Sequence, residues 1–564
     1  MTTESFLVSR GAYLARSNQR NTDVKRSGWR LNVQSVALPT LHASRFTVFL
    51  LAMAVSLSLN LHQSHATSFG LADRVVEHKL ANGLTVLMVE RHQTPVVSLN
   101  MTFRVGGVNE QVGQTGLAHL YEHMAFKGTR TVGTKDYEKE RPILEEWFRV
   151  GTELEQRQRE IARKSQERSA SSEDRAVIEK LQKRFTELQD QAGQFVAGNE
   201  IALLYQRHGG VGLNASTGKD LTRYMINLPA NRLPLWAALE ADRMAHPVLR
   251  EFYKERGVVM EERRLRNDDS PNGLLYETFT SAAFRAHQYG IPTIGWESDI
   301  LSLTPADTEA FFKAYYGPGN ATIAIVGDIN PKEVMTLIEH TFGTIPASPA
   351  QSPLVTVEPP QRGERRVEVE FDAEPSLIIG FHKPALGHPD DYVFDVIDAV
   401  LSDGLTSRLY TSLVREKRIA ASVGSDSNYP GVRSPNLFIL NAAPLAPHTT
   451  AEVEAAIYAE IERLKTEPVS AKELEKVLNN LDADLVRALR SNGGLASQLA
   501  LFQTVAGDWR YALKSRDKIA AVTQADIQRV ATEYFTKSNR TVATLVKKTG
   551  ERHVATAPKG EATR

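Results

Sequence analysis

The chain changes its rhythm of apolar and polar positions several times, and each change predicts a different kind of element. Residues 46–61, FTVFLLAMAVSLSLNL, carry no charge. Basic residues (Arg10, Arg16, Arg20, Lys25, Arg26, Arg30 and Arg45) precede them, and Ser64-His65-Ala66 follows as a small-x-small site. A run this short falls below a spanning helix, so residues 1–66 read as an N-terminal extension ending in a secretory signal peptide. An uncleaved membrane anchor is the alternative.

From residue 74 the pattern turns to period two. RVVEHKLANGLTVLMVERHQTPVVSLNMTFRVGG is broken at Asn82-Gly83, which predicts a hairpin followed by a longer strand. Gly106-Gly107 and a polar stretch then lead into the helical segment GLAHLYEHMAFKGT, so a helix laid over a sheet is expected. Residues 137–197 differ again. They are rich in Glu, Lys, Arg and Gln, with sparse apolar positions such as Leu154, Ile161, Ile178, Leu181, Phe185 and Leu188. The turn formers SASSED at 169–174 divide them, which predicts an exposed helical hairpin inserted into the first domain. It reads either as a dimerisation arm or as a charged excursion.

The pattern then repeats. LTPADTEAFFKAYYGPGNATIAIVG (303–327) aligns without gaps on VTQADIQRVATEYFTKSNRTVATLV (522–546), 219 residues later, with seven identities. Both copies predict a capped helix, a turn and a buried strand. Residues 346–366 between the halves are a Pro-rich polar linker. The predicted architecture is α+β: two homologous two-layer domains, each an antiparallel-rich mixed sheet covered by helices. They span residues 74–345 and 367–550, with a tail at 551–564.

Composition narrows the chemistry. At 564 residues the chain exceeds one ordinary core, and 42% hydrophobic with 24% charged residues describes a globular protein. Lys+Arg and Asp+Glu are equal at 67 each, so no global field draws it to nucleic acid. Cysteine is absent, which excludes disulfides, a thiol nucleophile and thiolate metal ligands.

His and carboxylate remain for holding a metal. His119, Glu122 and His123 read H-x-x-E-H. On a helix the two imidazoles share a face and can grip one zinc ion, with Glu122 beside them as a base for a water at the metal. A catalytic zinc usually takes a third protein ligand. EFYKERGVVMEERRLRND offers Glu255 and Glu262, seven residues apart and on one helix face, whereas Glu261 points about 100° away from Glu262. A salt-bridged surface helix is the competing reading of this segment. In the second half HPDDYVFDVIDAVLSDG stands where the metal helix would be and is an ordinary amphipathic helix.

GLAHLYEHMAFKGT, GLNASTGKDLTRY, ERGVVMEE and the duplicated halves together resemble the pitrilysin/insulinase family of zinc peptidases, and within it the mitochondrial-processing-peptidase type. The resemblance covers about residues 74–548. It implies one Zn2+ per chain held by His119, His123 and Glu262, with Glu122 as general base and Glu255 orienting a ligand histidine. It also implies that the strand containing Asn214, Ala215 and Thr217 pairs with a peptide substrate. The His/His/Glu set favours zinc over manganese or cobalt.

Many family members carry an Arg and a Tyr seven residues apart in the second domain that reach the active site. Arg415 stands at the Arg position in SRLYTSLVREKRIAASVGSD, but Ser422 lies seven residues later. A homodimer, or a heterodimer with a related subunit, is therefore expected to supply the missing surface. The implied function is an exported, periplasmic zinc endopeptidase acting on peptides or unfolded segments. The alternative is a non-catalytic, peptide-clamping or scaffold subunit of a heteromeric assembly.

Overall fold

A computed structural model describes residues 70–166, 171–349 and 351–548; the expected signal segment and the C-terminal tail lie outside the described residues. Two sheets organise the chain. The first is built from β1 (Val75–Lys79), β2 (Thr85–Glu90), β3 (Val96–Phe103), β4 (Val211–Thr217), β5 (Thr222–Pro229) and β6 (Ala321–Gly327), in the order β1-β2-β6-β3-β5-β4. The second holds β7 (Arg365–Phe371), β8 (Ser376–Lys383), β9 (Ala420–Tyr429), β10 (Asn436–Pro444) and β11 (Arg540–Lys547), in the order β7-β11-β8-β10-β9. The β2–β6 and β7–β11 pairs are parallel and the other pairs antiparallel. The fold is thus the expected pair of mixed, antiparallel-rich sheets covered by helices.

Local sequence explains the elements. The Asn82-Gly83 turn has Gly83 at φ 94, and the Asn82 amide donates to the carbonyls of Phe342 and Ile345 at 2.8 and 2.9 Å. The hairpin is therefore pinned under the end of the first half as well as turned. In the repeat, the shared residues are the caps. Thr304 and Asp307 close a capping box on the helix Pro305–Tyr315, as Thr523 and Asp526 do on Gln524–Tyr534. Asn320 donates to the Tyr315 carbonyl at 2.8 Å, and its counterpart Asn539 to that of Tyr534 at 2.9 Å. Each pin fixes the turn into a central strand, β6 or β11.

The two halves exchange helices. One face of the first sheet packs Val86, Met88, Leu99, Met101, Ile323 and Ile325 beneath the helices of its own half. Its other face, with Leu87, Val89, Ala324 and Val326, is covered by Leu495, Ala496, Leu499 and Ala500 of the helix Asn492–Ala506, far along the second half. Reciprocally, Leu275, Phe279 and Ala283 of the helix Pro271–Ala283 cover Val369, Ile378, Ile439, Ala543 and Leu545 of the second sheet. Strands that are apolar on both faces need cover on both. The fit is close: a Cβ on Gly380 would lie 2.4 Å from the Phe279 ring.

The charged segment folds as two helices, Tyr137–Gln166 and Ser172–Gly193, with a Ser171–Asp174 capping box. Leu144, Trp147, Val150, Leu188 and Ala192 bury its base. A fully buried Glu140–Arg250 ion pair at 2.8 Å ties that base to the residues just before the helix Phe252–Arg263.

Candidate metal centre

The helix Leu117–Met124 carries the H-x-x-E-H residues. It begins after Gly116, which lies at φ 90 with the Ile294 carbonyl 2.6 Å from where a Cβ would stand, so only glycine fits. The buried Glu110 carboxylate accepts the N–H groups of Gly116 at 2.9 Å and Ala118 at 2.8 Å, satisfying two donors at the helix start. The facing helix, Phe252–Arg263, carries Glu255 and Glu262. A buried Arg263–Glu277 ion pair at 3.0 Å links its end to the helix Pro271–Ala283.

His119, His123 and Glu262 meet, with one donor atom from each within 4.8 Å of the others. Glu262 Oε2 lies 3.6 Å from His119 Nε2 and 3.3 Å from His123 Nε2. Ligands about 2.0–2.1 Å from a tetrahedral zinc stand about 3.3–3.4 Å apart, so the donor set fits the ion. Glu255 Oε2 lies 3.4 Å from His123 Nδ1, and its other oxygen pairs with Lys127. Arg266 Nη1 holds Glu262 Oε1 at 2.6 Å, which leaves Oε2 facing the imidazoles. Glu261 turns outward to Arg264 at the surface.

The electrostatics favour a bound cation. Burial, with His123 alongside, lowers His119 to about 4. Burial also opposes protonation of His123, but hydrogen bonds to Glu255 and Glu262 outweigh it and raise the group to about 9. Burial resists ionisation of Glu262 too, yet His123, His119 and Arg266 bring it down to about 2. A neutral imidazole, a second imidazole between two carboxylates and an ionised Glu262 form a pocket suited to one proton or one metal ion. Burial raises Glu122, whose carboxylate accepts the Thr217 hydroxyl at 2.6 Å.

Thr217 ends β4, the strand at one edge of the first sheet. Asn214, Ala215 and Thr217 pair inward with Met225, Tyr224 and Thr222 of β5, and no strand among the described residues pairs with β4's other edge. Arg415 lies in the helical turn Tyr410–Glu416, exposed, with Glu416 at 3.6 Å as an ion-pair partner. Tyr429, fourteen residues beyond Arg415, is buried against Tyr276 and Phe279 between the halves. Sequence reasoning missed Glu110, Lys127 and Arg266. Only Arg266, four residues beyond Glu262, left a helical-spacing signal.

The second half preserves a trace of the same construction. Phe103 pairs with Ala321 and Phe381 with Arg540, which are repeat equivalents, and Tyr121 touches Tyr316 as Phe394 touches Phe535. By that correspondence Asp395 stands for Glu122, and the Ser427 hydroxyl donates to it at 3.0 Å as Thr217 does to Glu122. Tyr392 and Val396 occupy the positions of His119 and His123, so the second copy has no imidazole pair.

Two helix-borne histidines and a glutamate from a second helix, with a buried carboxylate beside them, have the composition of the donor sets that zinc hydrolases use. Comparison with known proteins makes this specific. Residues 85–145 match the model of the insulinase family (peptidase family M16), and residues 302–481 that of the peptidase M16 inactive domain. Over these residues the chain is similar to the insulinase family, peptidase family M16. It is 29% identical over 474 residues to zinc protease PqqE of Helicobacter pylori, covering 83% of this chain and 91% of that protein. It is 24% identical over 344 residues to the uncharacterized zinc protease YmxG of Bacillus subtilis, covering 60% and 82%. The crystal structure of a protease from Helicobacter pylori superposes with a TM-score of 0.69 at 28% identity, over 84% of this chain and 99% of that one. The first half of the periplasmic protease PqqL from Escherichia coli shares the fold with a TM-score of 0.61 at 17% identity, over 84% and 92%. These relatives do not address the narrower mitochondrial-processing likeness.

Proposed function

We propose that the protein is an exported zinc endopeptidase that hydrolyses peptides or unfolded segments of other proteins. The observation that carries this reading is the convergence of His119, His123 and Glu262, with Glu122 alongside against Thr217 at the end of a sheet edge that no described strand pairs. His119, His123 and Glu262 would hold the ion, which when bound supplies the Lewis acidity for attack on a peptide carbonyl. Glu122 takes the proton of the attacking water and returns it to the leaving amine. Its burial makes it a stronger base, and the Thr217 hydroxyl keeps one carboxylate oxygen in place. Glu255 accepts from His123 Nδ1, which fixes the tautomer that turns Nε2 toward Glu262. Arg266 immobilises the other oxygen of Glu262.

The outer edge of β4 is suited to receive substrate as an added strand, which gives affinity from main-chain groups with weak demand on sequence. Export rests on the N-terminal apolar run and on the printed description of the PqqL neighbour as periplasmic. No helix among the described residues is long and apolar enough to cross a membrane. A second copy or a related subunit is the source proposed for the tyrosine-bearing surface. The scaffold reading draws on the inactive-domain match, but most of that match covers the half that lacks the imidazoles.

Replacing Glu122 with Gln keeps the shape and removes the base. Zinc content should stay at one per chain while cleavage of an unstructured peptide falls by about 10³-fold or more. Turnover at the wild-type rate in that variant would sink the assignment.

A further inference from the structure

Asp220 has no place in the mechanism above, yet it is buried at 5% exposure and saturated with partners. It lies in the turn between β4 and β5, three residues beyond Thr217. Its Oδ1 accepts the Tyr289 hydroxyl at 2.8 Å. Its Oδ2 accepts two backbone N–H groups from the second half, Val432 at 2.6 Å and Arg433 at 3.1 Å. The Arg433 guanidinium donates to the Asp220 carbonyl at 3.3 Å, and Ser434 N–H donates to the Tyr289 hydroxyl at 3.2 Å. The approach needs glycine at 431, where a Cβ would stand 2.7 Å from both Asp220 Oδ2 and the Tyr289 hydroxyl.

The same turn is held from the opposite side. Gly107 and Val108 N–H donate to the carbonyls of Gly218 and Lys219 at 3.1 and 3.0 Å. Gly106 passes so close that a Cβ there would lie 2.3 Å from the Gly218 carbonyl oxygen. Two residues after Val108 comes Glu110, which caps the H-x-x-E-H helix. Residues 217–220 therefore join three things: the hydroxyl on Glu122, the lead-in to the metal helix and the loop 431–434 of the second half.

We propose that Asp220 is a positioning residue: by clasping the Val432 and Arg433 N–H groups it lets the second half hold Thr217, and through it Glu122, in register with the metal ligands. A carboxylate suits the task because it accepts from several converging N–H and O–H donors at once, which an amide oxygen does only in part. The second half thus contributes to the reaction through two backbone amides as well as through any side chain it presents.

This inference rests on Glu122 being the base, so its test separates the two. Full-length wild type, Asp220→Ala, Asp220→Asn, Thr217→Val, the Asp220→Ala/Thr217→Val double variant and Glu122→Gln are compared on one unstructured fluorogenic peptide, with zinc stoichiometry measured on each. Asp220→Ala should lower kcat about tenfold with KM within about twofold and zinc unchanged, since small misplacements of a reacting group cost rate rather than binding. Asp220→Asn keeps one acceptor oxygen and should recover part of the loss. In the Thr217→Val background the same alanine change should cost less than about twofold, because the route to Glu122 is already cut. Additive losses, an effect on KM alone or an unchanged kcat would each overturn the proposal. If Asp220→Ala does not fold, Tyr289→Phe decides: it deletes one hydroxyl, and should cost about threefold in kcat with Thr217 present and nothing without it. An active Glu122→Gln would instead overturn the base assignment.

Discussion

Glu110 offers a test of how burial and hydrogen bonding compete at the start of the metal helix. It is 3% exposed, and burial pushes it from 4.5 to about 7 despite the two N–H groups it accepts and the nearby Lys219, all of which favour the anion. A carboxyl whose folded pKa stands above its unfolded value contributes stability that is fully present below about 4.5 and is lost as the pH rises through about 7. At 1.36 kcal/mol per pH unit that interval is worth about 3 kcal/mol. Glu110→Gln keeps the shape and cannot titrate, while groups elsewhere ionise alike in both proteins and cancel. The stability of wild type minus that of the variant should therefore fall by about 3 kcal/mol from pH 4.5 to 8. Because the halves share helices, the cooperative unit is the whole of the described chain, and at about 2.1 cal/mol/K of unfolding entropy per residue this is a relative loss of roughly 3 °C in thermal midpoint, read by circular dichroism on the zinc-loaded proteins. A difference that stays flat, or that grows in favour of wild type, would mean that the backbone donors and Lys219 outweigh burial and that Glu110 is already ionised when buried.

Two further outcomes follow from the site. Chelation should lower the thermal midpoint and added zinc should restore it, since an ion present at 1,000 times its dissociation constant stabilises by about 4 kcal/mol; an unmoved midpoint would count against His119, His123 and Glu262 as a metal set. Glu255→Gln weakens the acceptor that orients His123 and should reduce zinc affinity about 10- to 100-fold in a competing-chelator titration, with unchanged affinity refuting that role.

Much of this was legible in the sequence because the signals are local. Period-two stretches, Asn82-Gly83, the sparse apolar positions of the arm and the Thr-x-x-Asp boxes at 304 and 523 each fix nearby backbone. The four-residue spacing of His119 and His123 needs only a helix to bring both imidazoles together. Glu262 lies 139 residues beyond His123, and the seven-residue spacing left it tied with Glu255 until the wider resemblance separated them. The helix exchange was not legible in this way. LASQLALFQTVA is apolar nearly all round, the mark of a helix buried on several sides, but nothing in it says which sheet it covers. Asp220 and Glu110 look like ordinary surface polar residues until folding supplies their partners, whereas Arg266 shows only its helical spacing from Glu262. Arg415 stands in the register of the family's Arg, but its ion pair with the adjacent Glu416 is a local surface contact that no register reveals.

The duplication also bears on what makes the site reactive. The second half retains a hydroxyl on a helix-borne carboxylate, Ser427 on Asp395, at the place of Thr217 on Glu122. Such a pair is therefore a feature of strand and helix packing in this fold, and it carries no metal chemistry on its own. Two things distinguish the first half: the imidazoles at 119 and 123, replaced by Tyr392 and Val396 in the other copy, and the helix that brings Glu262 to them. That helix runs through Arg263 and its buried partner Glu277 into Pro271–Ala283, whose apolar face lies on the second sheet. Glu262 is thus anchored on the half that lacks the imidazole pair, just as Asp220 anchors the strand beside Glu122 to the same half. On this account the copy without imidazoles is the support for both sides of a single site, and its loss would separate Glu262 and Thr217 from the helix they face.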